Sequence, residues 1–78
     1  MLKKIPPMSS QRLVKLLSQG NARFVRQNGI SHAIFEREKN GKIYRAPVVM
    51  AKSELSSKYI KLVMRQLGFT EDEINNII

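Results

Sequence analysis

Two Asn-Gly dipeptides constrain the fold of this chain more than any other feature: Asn28-Gly29 and Asn40-Gly41. A two-residue type I′ turn needs positive φ at both central residues, which Asn and Gly tolerate, so each dipeptide predicts the tip of a β-hairpin. The surrounding residues, from Ala22 to Val49, form short runs of β-type side chains. We therefore expect three antiparallel strands joined by two tight turns.

The turns also determine which residues lie opposite each other. With two-residue turns, His32 lies opposite both Val25 and Val49. In the second hairpin Glu36 faces Arg45, as an exposed ion pair of little energetic value. Opposed residues share a face of the sheet, and faces alternate along a strand. One face collects most of the aromatic residues and is expected to lie against helices: Phe24, Ala33, Phe35, Tyr44, Ala46 and Val48. The other is expected to be open to solvent: Arg23, Val25, His32, Ile34, Glu36, Ile43 and Arg45.

The segment before the strands has the pattern of an amphipathic helix. Leucines recur at helical spacing after Pro6-Pro7, which predicts a first helix over about residues 10–19. The hydroxyl of Ser9 or Ser10 caps its start, and Gly20 fits the left-handed position that ends such a helix.

The segment after the strands predicts two more helices. Ser56 or Ser57 caps a long amphipathic helix that Gly68 ends. Thr70 and Glu73 have the spacing of a capping box, which opens a last short helix.

These elements give an α+β fold in the order α-β-β-β-α, with two helices on one face of a three-stranded antiparallel sheet and a short C-terminal helix. Double-stranded-RNA-binding domains have this arrangement, which is an analogy of fold and not of function. A chain of 78 residues has room for one domain, residues 1–78. Within it we expect an extended N-terminal segment over residues 1–8 and the short helix over residues 70–78.

The composition limits the possible chemistry. The chain has no cysteine and one histidine, which excludes thiolate catalysis, disulfides and a multi-histidine metal site, and no cofactor is expected. Its apolar runs are too short to span a membrane, and no export signal is visible, so we expect a cytoplasmic protein. The formal net charge is +8, and no acidic residue precedes Glu36. Such a basic chain attracts polyanions, although charge also serves solubility alone.

His32 is the candidate for acid–base chemistry, because imidazole is the side chain that titrates near neutral pH. RNA carries its own nucleophile, the ribose 2′-hydroxyl. Cleavage therefore needs a base, an acid and cations to stabilise the charge on phosphorus. The arginines that flank the hairpins are the candidates for phosphate contact: Arg23, Arg26, Arg37 and Arg45. The basic residues of the helices are expected to form solvated helix faces: Arg12, Lys15, Lys58, Lys61 and Arg65.

The stretch from Gly29 to Phe35, after the basic run from Arg23 to Gln27, resembles the signature of HicA-family (YcfA-like) toxins. That signature has a glycine, two small or polar residues, a histidine, then two residues and a hydrophobe. Further segments resemble the family's opening, third strand and closing helix: Leu2–Pro7 with the following helix, Tyr44–Pro47, and Ile60–Phe69.

The resemblance implies a small ribonuclease of the double-stranded-RNA-binding-domain fold. Such toxins cleave messenger RNA, single-stranded or structured, arrest growth in the stress response, and are neutralised by a HicB-type antitoxin. The family's catalytic histidine corresponds to His32, with Gly29 in the turn before it and Ser31 orienting backbone or phosphate. Many members carry a second histidine where this chain has Val49, and some carry one where Ala33 stands, so a two-histidine mechanism is in doubt.

Three functions are consistent with these residues. The first is a metal-independent endoribonuclease toxin centred on His32. The second is a non-catalytic RNA-binding module of the same fold, and the third is an interaction domain whose basic surface meets an acidic protein.

Overall fold

The order of elements agrees with the prediction. A computed structural model describes residues 2–78, so Met1 of the expected N-terminal segment lies outside the described residues. Within residues 2–78 the helices and strands are α1 (Ser10–Gln19), β1 (Arg23–Asn28), β2 (His32–Lys39), β3 (Lys42–Val49), α2 (Ser57–Gln66) and α3 (Glu71–Ile77). The strands form one antiparallel sheet in the order β1-β2-β3.

Side-chain caps set the start of each helix, as the sequence predicts. The Ser9 side chain accepts a hydrogen bond from the main-chain N–H of Arg12 at the start of α1. Ser56 caps α2 in the same way. At the start of α3, Thr70 and Glu73 form the reciprocal capping box, with N–H···O distances of 2.9 and 3.2 Å. Each cap satisfies an N–H that the helix itself leaves unpaired.

The expected role of Gly20 is wrong, whereas that of Gly68 is confirmed. Gly20 has φ −91°, and the left-handed residue after α1 is Asn21, with φ 70°. Glycine stands at position 20 for a packing reason, because a Cβ there would lie 2.3 Å from Cε1 of Phe69. Gly68 has φ 77° just after α2.

The second hairpin follows the prediction. Asn40 and Gly41 have φ of 54° and 78°, as a type I′ turn requires. Across it Phe35 pairs with Ala46, and His32 pairs with Val49.

The first hairpin differs from the prediction. Asn28 pairs with His32, so the connection is the three-residue loop Gly29–Ser31 instead of a two-residue turn at Asn28-Gly29. The Gln27 amide donates hydrogen bonds to two loop carbonyls, at 3.2 and 3.3 Å. The carbonyl of Ser31 accepts a hydrogen bond from the Met50 N–H at 2.7 Å. These contacts stabilise the wider loop, and they come from outside the turn dipeptide.

A β-bulge in β1 partly compensates for the wider loop. The register shifts between Phe24 and Arg26, which leaves Val25 as the extra residue. Because the loop is one residue wider, Arg26 lies opposite Ile34 on the open face, and Asn28 takes the position opposite His32 that the sequence assigned to Val25. Beyond the bulge, Arg23 and Phe24 keep their predicted faces.

The hydrophobic core lies between the sheet and the two longer helices. Its fully buried members include Leu13, Leu17, Val48, Ile60 and Met64. Phe24 departs from the expected core: it is 55% exposed, and its ring forms a T-shaped pair with that of Phe35, at 6.0 Å between ring centroids. The helices do not cover β1, all of whose residues are exposed.

Candidate functional site

His32 lies at the start of β2, on the open face of the sheet, and is half-buried. The strand residue opposite it, Val49, donates its N–H to the Tyr59 hydroxyl at 3.0 Å and accepts a hydrogen bond from Ser10 Oγ at 2.7 Å. Because both main-chain groups of Val49 point away from β2, His32 and Val49 form a non-hydrogen-bonded pair. In such a pair the two side chains are closest, with Cβ atoms about 4.5–5.5 Å apart.

Among residues 2–78 the imidazole of His32 has one hydrogen-bond partner. Ser31 Oγ lies 3.3 Å from Nδ1, and which of the two atoms donates depends on the tautomer of the ring. Nε2 has no protein partner among residues 2–78. Gly29 begins the preceding loop at φ 79°, a backbone conformation that suits glycine. The loop thus holds Ser31 against one ring nitrogen and leaves the other for a ligand.

Arg26 is the cation nearest to His32 in the register of the sheet. Because Arg26 pairs with Ile34, it is a diagonal neighbour of His32. The Cα atoms of such neighbours are roughly 7–8 Å apart in an antiparallel pair. It is exposed and makes no ion pair within the described part of the chain. Its guanidinium is therefore available to an anion that reaches the imidazole.

A second pair of arginines lies further along the open face. Glu36 accepts hydrogen bonds from Arg23 Nη2 at 2.7 Å and from Arg45 Nε at 2.9 Å. These bonds hold the pKa of Glu36 below its usual range, and the bond from Arg23 has the larger effect. The sequence predicted an exposed Glu36–Arg45 pair; the structure adds Arg23 and buries the carboxylate to 7% exposure. The arginine side chains remain 72% and 64% exposed, so each guanidinium retains N–H groups that face solvent.

Arg37 does not belong to this surface, which corrects its assignment as a phosphate contact. It is 6% exposed on the helix side of the sheet, where its guanidinium lies 4.0 Å from the ring centroid of Phe69. It donates to two main-chain carbonyls and, at 2.6 Å, to Glu73. The sequence does indicate this position, because Arg37 follows Phe35 by two residues and therefore lies on the same inward face of the sheet.

Sequence reasoning missed one exposed cation near the site, Lys52. It lies two residues beyond Met50, whose N–H binds the carbonyl of the residue before His32. The sequence offers no signal for this position, because it depends on where the loop after β3 packs.

Three further observations bear on the class of site. Within residues 2–78 no three His, Cys, Asp or Glu side chains come together to hold a metal ion. None of the helices in that range has the length and apolar character needed to cross a membrane. Comparison with protein-family models, curated proteins and solved structures finds no match to this chain. The resemblance to HicA-family toxins therefore stays a prediction.

Proposed function

We propose that this protein is a metal-independent endoribonuclease that cleaves messenger RNA, with His32 as its acid–base group. One observation carries the proposal: within residues 2–78 the single histidine lies on the face of the sheet that no helix covers, with Nε2 unpartnered and Arg26 diagonal to it. A histidine that served only packing would be expected on the opposite face, among the core residues.

The proposed reaction uses the RNA's own nucleophile. The neutral imidazole removes the proton of a ribose 2′-hydroxyl, the 2′ oxygen forms a bond to the adjacent phosphorus, and the bond from phosphorus to the 5′ oxygen breaks. The products are a 2′,3′-cyclic phosphate and a free 5′-hydroxyl. A second group must protonate the leaving oxygen. Water, a lysine or an arginine takes that role here, because Val49 stands where a second histidine would lie.

The arginines of the open face supply the positive field. Arg26, diagonal to His32, contacts the scissile phosphate, whereas Arg23 and Arg45, on either side of Glu36, contact neighbouring phosphates. Two guanidinium groups around one carboxylate keep a net positive charge, so this row still attracts the RNA backbone.

As a toxin, the protein would act in the cytoplasm and require a neutralising partner. We propose a HicB-like antitoxin that covers the open face and blocks access to His32. Ile43, 52% exposed, and half-buried Ile34 offer apolar contacts there, and the net charge of +8 favours an acidic partner.

The second candidate is a non-catalytic RNA-binding module. Val49 favours it, because an isolated imidazole lacks the partner acid that two-histidine nucleases use. The same arginines would then bind RNA without cleavage.

Replacement of His32 separates the two candidates. His32→Ala should reduce cleavage of a labelled RNA by at least about 100-fold while RNA affinity changes little, since positioned proton transfer contributes roughly 10²–10⁴-fold. Asn28→Ala, which alters the strand residue paired with His32, is the matched control and should retain activity. EDTA should leave cleavage intact. Equal cleavage by wild type and His32→Ala would refute the nuclease proposal.

A further inference from the structure

An open groove lies between the start of α1 and the loop after β3. Lys15 lines one wall and Lys52 the other, and both lysines are exposed. Val14 and Met50 supply apolar surface between them. No carboxylate is among the lining residues, all of which belong to the described range 2–78; Glu54, the nearest acid in sequence, makes no ion pair.

The groove has a fixed shape. Buried Ser10 donates its N–H to the Lys52 carbonyl at 3.0 Å, and its Oγ accepts the Lys52 N–H at 3.1 Å while donating to the Val49 carbonyl at 2.7 Å. Between these contacts Ala51 adopts φ 59°, a left-handed conformation that is unfavourable for a residue with a Cβ. The two walls are therefore joined before any ligand binds, so a ligand need not order them.

The groove begins at the end of the sheet where β2 starts with His32 and β3 ends with Val49. Met50, in the groove wall, donates its N–H to the Ser31 carbonyl at 2.7 Å, and Val49 lies directly opposite His32. The Cα of Lys52 is two residues from that of Met50, at most about 7.6 Å away. Arg26 lies on the other side of the imidazole, on β1. Cationic residues thus lie on both neighbours of the strand that carries His32: Arg26 on β1 and Lys52 just beyond the end of β3.

We infer that this groove binds backbone phosphates of single-stranded RNA on the β3 side of the cleavage point, with Lys15 and Lys52 as the phosphate contacts. The inference rests on the proposed function. A strand that crosses His32 must turn at the end of β3 to enter the groove, on a molecule whose extents are 35 × 30 × 17 Å. A single strand follows such a path, whereas a duplex, with a persistence length of about 50 nm for DNA, does not bend over this distance.

The test compares two double variants that remove the same charge. Lys15→Gln/Lys52→Gln alters the groove, and Lys58→Gln/Lys61→Gln alters the side of α2 that carries exposed Lys58 and half-buried Lys61. All four side chains are outside the core, so both proteins should fold, which circular dichroism checks. Binding of a fluorescent single-stranded RNA of about 12 nucleotides, within known site sizes of roughly 4–16, is measured by anisotropy at several salt concentrations, in the His32→Ala background.

We expect the groove variant to bind RNA about tenfold more weakly. The slope of the logarithm of its binding constant against the logarithm of the salt concentration should fall in magnitude by about 1.4, which is roughly 0.7 for each of two lost phosphate contacts. The α2 variant should change affinity less than threefold, a limit set at about half the groove effect on a logarithmic scale. With His32 present, the groove variant should raise KM and leave kcat unchanged.

Equal losses in the two variants would overturn the groove assignment even if the wild type cleaves RNA. Tighter binding of a duplex of the same length would overturn the single-strand assignment. If the wild type does not cleave but only the groove variant loses affinity, the phosphate site stands and the nuclease proposal fails.

Discussion

Glu73 joins α3 to the sheet, and neutralising it should destabilise the whole domain. Its carboxylate accepts hydrogen bonds from Arg37 at 2.6 Å, from Lys39 at 2.7 Å and from the Thr70 N–H at 2.9 Å. Glu73→Gln keeps an acceptor for the capping box, because Gln also serves at that position. The variant therefore tests the two ionic contacts.

The size of the effect follows from the pKa of Glu73. The hydrogen bond from Lys39, supported by those from Thr70 and Arg37 and opposed by burial, lowers this pKa from 4.5 to about 2. A shift of this size corresponds to roughly 3 kcal/mol of unfolding free energy. The side chain is 32% exposed, so solvent screening reduces the expected value to about 2 kcal/mol. That is a large part of the roughly 4–12 kcal/mol expected for a domain of this size.

The pH dependence gives a sharper test. A carboxyl group whose pKa is lowered by folding contributes its full stability above its unfolded pKa near 4.5, and loses it as pH falls through the folded pKa near 2. Urea unfolding, followed by circular dichroism, should therefore show Glu73→Gln less stable than wild type at pH 7, with the difference vanishing towards pH 2.

The control is Glu71→Gln, which removes a charge from the same first turn of α3 but makes no ion pair in the described structure. It should shift stability by less than about 0.5 kcal/mol, as exposed substitutions usually do. If Glu73→Gln matches this control at pH 7, or if its deficit persists unchanged to pH 2, the ionic role assigned to Glu73 is wrong.

Two further predictions concern packing and catalysis. Gly20→Ala should lower the free energy of unfolding, measured with urea, by roughly 1–3 kcal/mol, because the added Cβ would lie 2.3 Å from the Phe69 ring. An unchanged midpoint of urea unfolding would show that the ring moves aside. Val49→His places a second imidazole opposite His32 and should raise RNA cleavage about tenfold or more, since it supplies a general acid. A well-folded Val49→His protein with unaltered cleavage would show that the missing acid is not needed at this position.

The sequence predicted the helices because their boundaries depend on neighbouring residues. Ser9, Ser56 and the Thr70–Glu73 capping box bind N–H groups within three residues of themselves, so their positions can be read from the chain. The second hairpin is equally local: the φ angles of Asn40 and Gly41 fix its register and bring Val49 opposite His32.

The first hairpin shows the limit of such local rules. Asn28-Gly29 has the same turn preference as Asn40-Gly41, yet a hydrogen bond from Met50 and two from the Gln27 amide stabilise a wider loop. The wider loop brings Arg26 to the open face, and the bulge restores the predicted faces of Phe24 and Arg23. The dipeptide itself cannot indicate the hydrogen bond from Met50, which lies about twenty residues further along the chain.

By itself, the sequence determined the element order, the helix caps, the second hairpin and the place of the histidine on the face opposite the core. Tertiary structure decided the full set of partners around each cation. Glu73 forms an ion pair with buried Arg37. Glu36 binds both Arg23 and Arg45. Lys15 and Lys52 line opposite sides of one groove. The physical reason is range: caps and turns act over a few residues, whereas burial and ion pairing depend on which distant segments pack together.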